Sequence, residues 1–189
     1  MMLPDPYASG VLQEEHHSRL VADLENYARD AGIQPHWIWT PLPETVSDAE
    51  VAYLKNFRRH AVDGQIAGIA YCGKPVGVAI EQRMAALAGC LVRNFVRARL
   101  MTVGQVLDHL AKGTLPDLSC LLIPNFFLRQ DEGGHIAAWQ VQSLFDLLMA
   151  RRVQGQQTIL YVSDSKLLGK EYGLAISRLI DEAYLKITN

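Results

Sequence analysis

Between Leu12 and Ala31 apolar residues recur at Leu20, Val21, Leu24, Tyr27 and Ala28, a spacing that predicts a helix, and Gly32 follows as its stop. The stretch from Pro35 to Pro43 holds three prolines and the rings of Trp37 and Trp39, so it is expected to run extended and to pack as a connector. Ser47-Asp48-Ala49-Glu50 is a capping box: the Ser47 hydroxyl is placed to accept from the Glu50 amide, and the Glu50 carboxylate to reach back to Ser47. With Val46 and Val51 set as a hydrophobic staple, it predicts a helix over 48–61.

From Gln65 the period changes. Short apolar runs at 66–71, 98–101, 118–123, 158–163 and 184–187 read as strands, the third continuous as buried parallel strands are. Helices are expected over 78–97, from a second capping box at Thr102-Val103-Gly104-Gln105 to Gly113, over 136–153 and over 166–181. Strands alternating with helices imply right-handed crossovers. The fold expected is α/β, a mostly parallel five-stranded sheet with helices on both faces, plus an N-terminal helical segment. Residues 1–64 form the helical extension and proline-rich connector, and residues 65–189 the α/β core. Such sheets bind ligands at the carboxyl ends of their strands, here 72–77, 124–134 and 163–165.

Composition narrows the classes. The 189 residues are 49% hydrophobic, enough for one substantial core, and no apolar run approaches the roughly 18 residues a membrane span needs. The first residues lack the basic start and apolar middle of a secretion signal. Cys72, Cys90 and Cys120 are scattered without C-x-x-C spacing, which argues against a disulfide framework or a zinc site and for a reducing, cytoplasmic setting. The net charge of −2 divides into −5 over residues 1–64 and +3 over 65–189, too weakly basic for nucleic-acid binding to follow from charge alone. Glu14-Glu15-His16-His17 are neighbours that cannot close a metal site by themselves, so no metal is expected.

The carboxyl-end loops carry the candidate chemistry. Gly73, Lys74 and Gly77 lie in a turn before a helix, where backbone amides and a lysine can meet an anion. Pro75 stands where G-x-x-x-x-G-K-[ST] has its hydroxyl residue, and it removes an amide as well. The third strand runs into Pro124 and Asn125. Arg93, Arg97 and Arg99, with Arg151 and Arg152, are candidates for contact with DNA phosphates, and Trp37 and Trp39 for stacking on bases.

In order and spacing, residues 65–189 resemble the AAA+ ATPases of the DnaC/IstB type, the helicase loaders and transposition helper proteins. The resemblance rests on the Gly-Lys turn, T-V-G-Q-V-L-D-H-L, C-L-L-I-P-N-F-F, the helix ending in A-R-R, T-I-L-Y-V-S-D and E-Y-G-L-A-I-S-R-L-I-D. It implies a RecA/AAA+-like three-layer core, with Ser163 and Asp164 at the phosphate-sensing place and Arg178 as an arginine that reaches a neighbouring subunit. It puts Pro124 and Asn125 where the acids of the Walker B motif order magnesium and position water, and neither is anionic. Asp164 would repel a terminal phosphate. Little follows Ile187, so the helical lid of such proteins is expected to be missing.

These losses imply a catalytically degenerate, pseudo-ATPase protein that uses no cofactor, ATP and magnesium being disfavoured. It would act as a protein-interaction or assembly factor in DNA replication, transposition or another DNA-handling process. Its partners would be a AAA+ ATPase, a helicase or a transposition component, with an oligomer also compatible. The alternatives are a diverged nucleotide hydrolase using Asp131, Glu132 or Asp164, and a DNA-binding adaptor.

Overall fold

The computed structural model describes residues 5–74, 79–133 and 136–188. The expected N-terminal helix is two, α1 (Glu14–Ala22) and α2 (Leu24–Ala31), broken at Asp23. Its stop is as expected: Gly32 takes the left-handed conformation at φ 66, and a Cβ there would lie 2.5 Å from the Leu100 carbonyl oxygen. The connector departs from expectation. Pro35, at φ −53, starts a single helical turn, α3 (His36–Trp39), because the fixed proline torsion suits a helix start. Both capping boxes form as expected. Ser47 opens α4 (Asp48–Lys55), which passes at Asn56 into α5 (Phe57–Asp63).

Strand β1 (Gly68–Cys72) leads to α6 (Ile80–Arg93), and the edge strand β2 (Ala98–Leu100) to α7 (Val103–Lys112), whose first turn Thr102 caps. Strand β3 (Cys120–Phe127) is longer than expected, and a single 3-10 turn (Gln130–Glu132) precedes α8 (Ala138–Val153). Then follow β4 (Gln157–Val162), α9 (Ser165–Glu171), α10 (Leu174–Ala183) and β5 (Tyr184–Thr188).

All five strands are parallel, in the order β2-β3-β4-β1-β5. The alternation of strand side chains divides the core into two clusters. Leu121, Ile123, Leu160 and Val162 face a layer built from α7, α8, α9 and α10. Leu122, Ile159, Tyr71 and Tyr161 face α6, and the N-terminal segment packs into this same cluster through Leu20, Ala28, Ile38 and Tyr53. Each large apolar side chain taken fully out of water contributes about 1.5–3 kcal/mol, so residues 12–57 share directly in stabilising the sheet. Contact between α3 and α6 is close enough that a Cβ on Gly89 would lie 2.1 Å from the Trp37 carbonyl oxygen.

One buried network ties the two segments of the chain. The Glu50 carboxylate, fully buried, accepts from Arg83 Nε at 2.9 Å, from the Ser47 amide at 2.8 Å and from the Tyr71 hydroxyl. Arg83 also donates to the Thr45 carbonyl at 2.8 Å and lies over the Tyr71 ring. Burial pushes the Glu50 carboxyl up, but the bonds from Arg83, Tyr71 and Ser47 outweigh it and hold the group below its ordinary range. Burial, with Glu50 beside it, raises the Tyr71 hydroxyl far above the usual phenol range, so it remains a donor.

Candidate functional site

Strand β3 determines what the carboxyl end of the sheet can offer. Its pairing with β4 is regular from Cys120 to Ile123 and resumes at Phe127 opposite Val162. Pro124, Asn125 and Phe126 therefore bulge opposite Tyr161; Cys120 and Leu122 bond toward β2, whose pairing ends at Leu100, so the missing Pro124 amide on that side breaks no ladder bond. Asn125 Oδ1 accepts the Val103 amide at 2.8 Å, tying the start of α7 to the strand. The two residues at the Walker B-like place thus lie within β3: Pro124 is buried, and Asn125 has its acceptor committed to a helix start.

Beyond the bulge, the loops after β1, β3 and β4 converge. The Gly73 amide donates to the Val162 carbonyl at 3.0 Å and the Ser163 amide to the Phe127 carbonyl at 2.9 Å, so the three strand ends are stitched together. Ser163 Oγ accepts the Arg129 amide at 3.1 Å, and that amide also reaches Glu132 at 3.0 Å. The Arg129 guanidinium grips Asp131 with two bonds, at 2.6 and 3.0 Å. Arg129 holds the exposed Asp131 carboxyl below its ordinary range, and Lys74 adds to this from the β1 side. Asp131 in turn raises the Arg129 guanidinium, to which Glu132 and Asp164 also contribute. Arg129 is thus a charged member of this site that the sequence reading passed over, although its i, i+2 spacing from Asp131 was available as a signal.

Asp164, expected at the phosphate-sensing place, caps α9: its Oδ1 accepts the amides of Lys166 and Leu167 at 2.9 and 3.0 Å. Lys74 is exposed at the end of β1 next to the half-buried Gly73, while Gly77, like Pro75, lies outside the described residues. Arg178 is exposed on α10, away from ion pairs with described residues, and its neighbour Asp181 binds Lys186 instead at 2.8 Å. Among the described residues no three His, Cys, Asp or Glu side chains are grouped to hold a metal ion.

The proposed basic surface is corrected at two of its positions. Arg93 is buried and donates to the carbonyls of Thr40 at 2.8 Å and Ile38 at 3.3 Å, fastening α3 to α6. Arg151 is buried as well, with Thr158 Oγ1 at 2.9 Å and the Gln157 carbonyl at 2.7 Å. Neither guanidinium can reach a DNA phosphate. Arg97 is exposed but paired with Asp117 at 2.9 Å, and Arg152 is half-buried. Trp37 and Trp39 are also half-buried within and beside the α6 layer.

No family model matches the sequence, and no curated protein matches it. Solved structures do share its fold. The chain superposes on the crystal structure of DnaI with a TM-score of 0.53 at 15% identity, covering 82% of this chain and 94% of that one. It is similar to AMPPCP-bound DnaA from Aquifex aeolicus with a TM-score of 0.53 at 14% identity, covering 80% and 48%. A replication initiator DnaA bound to AMPPCP and single-stranded DNA gives 0.51 at 13% identity, covering 76% and 47%. The chain spans about half the length of the DnaA chains it matches. The likeness establishes that the chain shares the α/β fold of these proteins, here with all five strands parallel.

Proposed function

We propose that this protein is a pseudo-ATPase that works through protein contacts in a DNA-handling process such as replication or transposition. The observation that carries the reading is the Asn125–Val103 bond: the side chain in the β3 bulge serves the packing of α7 and presents no anion to a metal. Asp164 is likewise engaged in capping and Asp131 in its grip on Arg129. A parallel sheet packs without reactive loops, so assembly surfaces persist where the chemistry does not. The structural likeness to DnaA and DnaI supports the DNA-replication setting, and the exposed Arg178 suits a partner-facing role.

The test is phosphate release from ATP with magnesium, alongside nucleotide binding on the unaltered chain. The expected result is no magnesium-dependent turnover and no tight binding. Turnover that disappears in Lys74→Ala or Asp131→Ala would overturn the reading. It would favour a diverged hydrolase instead, which the pull of Lys74 on the Asp131 carboxyl across the strand ends recommends as the second candidate.

A further inference from the structure

Glu50 and Arg83 pin α4 to α6 near the starts of the two helices. Toward their far ends the helices border an open groove of about 380 Å3, which α5 and the connector ahead of α4 complete. Its walls are Leu42, Val51, Leu54 and Val96, all half-buried, and its floor is Phe57 and Leu91, both buried. Half-buried apolar side chains gathered from four segments make one continuous patch, and such patches mark places where something docks.

The polar members of the lining decide what fits. Asn94 has its side-chain amide committed to the Cys90 carbonyl at 2.8 Å. Lys55 and Arg58 are exposed and enter no ion pair among the described residues, whereas the adjacent Arg59 is held by Asp63 at 3.1 Å. Among the described residues no aspartate or glutamate lines the groove, so its two cations stand beside an apolar floor without a counter-charge. No strand residue lines it either, and an extended segment would find no ladder to join. A helix satisfies its own backbone bonds and asks only for side-chain contacts.

We propose that this groove docks an acidic amphipathic helix of a partner protein, with its apolar stripe over Phe57 and Leu91 and its carboxylates beside Lys55 and Arg58. The inference rests on the protein-contact reading above and gives the partner a chemistry. A nucleic-acid strand is a poorer fit, because it would set phosphates against the apolar floor.

The full chain, without nucleotide, is titrated with a helical peptide of about 18 residues, long enough to hold a helix alone, that carries leucines along one face and glutamates on its flanks. A second peptide has lysine for every glutamate, a third probe is a single-stranded oligonucleotide, and backbone amide resonances are followed by NMR. Saturable shifts are expected at Leu54, Cys90 and Asn94 with the acidic peptide, and the basic peptide should bind roughly tenfold more weakly. Lys55→Glu combined with Arg58→Glu should invert that order, and added salt should narrow it. No saturable binding of the acidic peptide, equal affinity for both peptides, shifts centred away from the groove, oligonucleotide binding there in place of the peptide, or an unchanged order in the folded double variant would each overturn the proposal. Should the double variant fail to fold, the contrast between the two peptides on the unaltered chain decides alone. ATP turnover alongside peptide docking would remove the pseudo-ATPase reading and leave the groove, whereas absent docking without turnover would do the reverse.

Discussion

Glu50 and Arg83, on α4 and α6, meet at 2.6 Å with side chains 0% and 6% exposed, and they join the N-terminal segment to the core from inside. Removing one partner leaves the other charge buried and unanswered. Glu50→Gln is therefore expected to destabilise the protein by about 3–5 kcal/mol, read from urea unfolding at neutral pH. An isosteric change with no measurable loss would show the pair to be dispensable.

The same carboxylate dictates a pH response. Its folded pKa is depressed, so its stabilisation is present above the unfolded value, about 4.3 for glutamate, and is lost as pH falls through the lower folded value. The unaltered protein should lose stability on acidification below that unfolded value, and Glu50→Gln should show a shallower acid limb in the same unfolding series.

Gly89 permits the contact between α6 and α3. Gly89→Ala drives a Cβ to 2.1 Å from the Trp37 carbonyl oxygen, and separating the helices should cost about 1–3 kcal/mol. Gly104→Ala is the control. Its Cβ would have only Thr102 Oγ1 at 4.0 Å, so the change should stabilise α7 by about 0.5–1 kcal/mol. Thermal unfolding of the two variants should move in opposite directions.

Asn125 can be given the missing charge. Asn125→Asp retains an acceptor for the Val103 amide, at a helix start that favours an anion, and should fold with little loss. Phosphate release should stay at background, because the new carboxylate keeps its structural partner. Asn125→Ala should cost about 1 kcal/mol through the unpaired amide.

Arg129→Ala should let the Asp131 carboxyl rise toward its ordinary range, since the bonds from Arg129 are what chiefly lower it. Lys74→Ala should raise it less. Carboxyl carbon shifts followed through a pH titration give both comparisons.

The strands were legible because each is an apolar run bounded by turn residues, and both helix starts at Ser47 and Thr102 could be read from four residues. Where local pattern failed, the deciding partner was remote in sequence. Arg93 and Arg151 read as surface charges by type, yet their acceptors are carbonyls such as Ile38, 55 residues from Arg93. The Glu50–Arg83 pair spans 33 residues and leaves no periodic trace. Pro124 suggested a strand end because proline cannot donate to a ladder; its amide side faces β2, whose pairing stops at Leu100, so no donor is required there and β3 continues to Phe127. The strand ends converge as the parallel order implies, but β3 runs on to Phe127, past the loop start expected at 124, and the commitment of Asn125 and Asp164 to helix starts leaves no local trace.

Strand β1 lies inside the sheet, and both of its neighbours come from the last third of the chain: Gly68 pairs with Thr158 on one side and with Tyr184 on the other. During synthesis this strand leaves the ribosome long before either neighbour exists, exposing an apolar ribbon with two open edges. The sheet around β1 closes only after β4 and β5 have both been made, so its central pairings are non-local and slow to form.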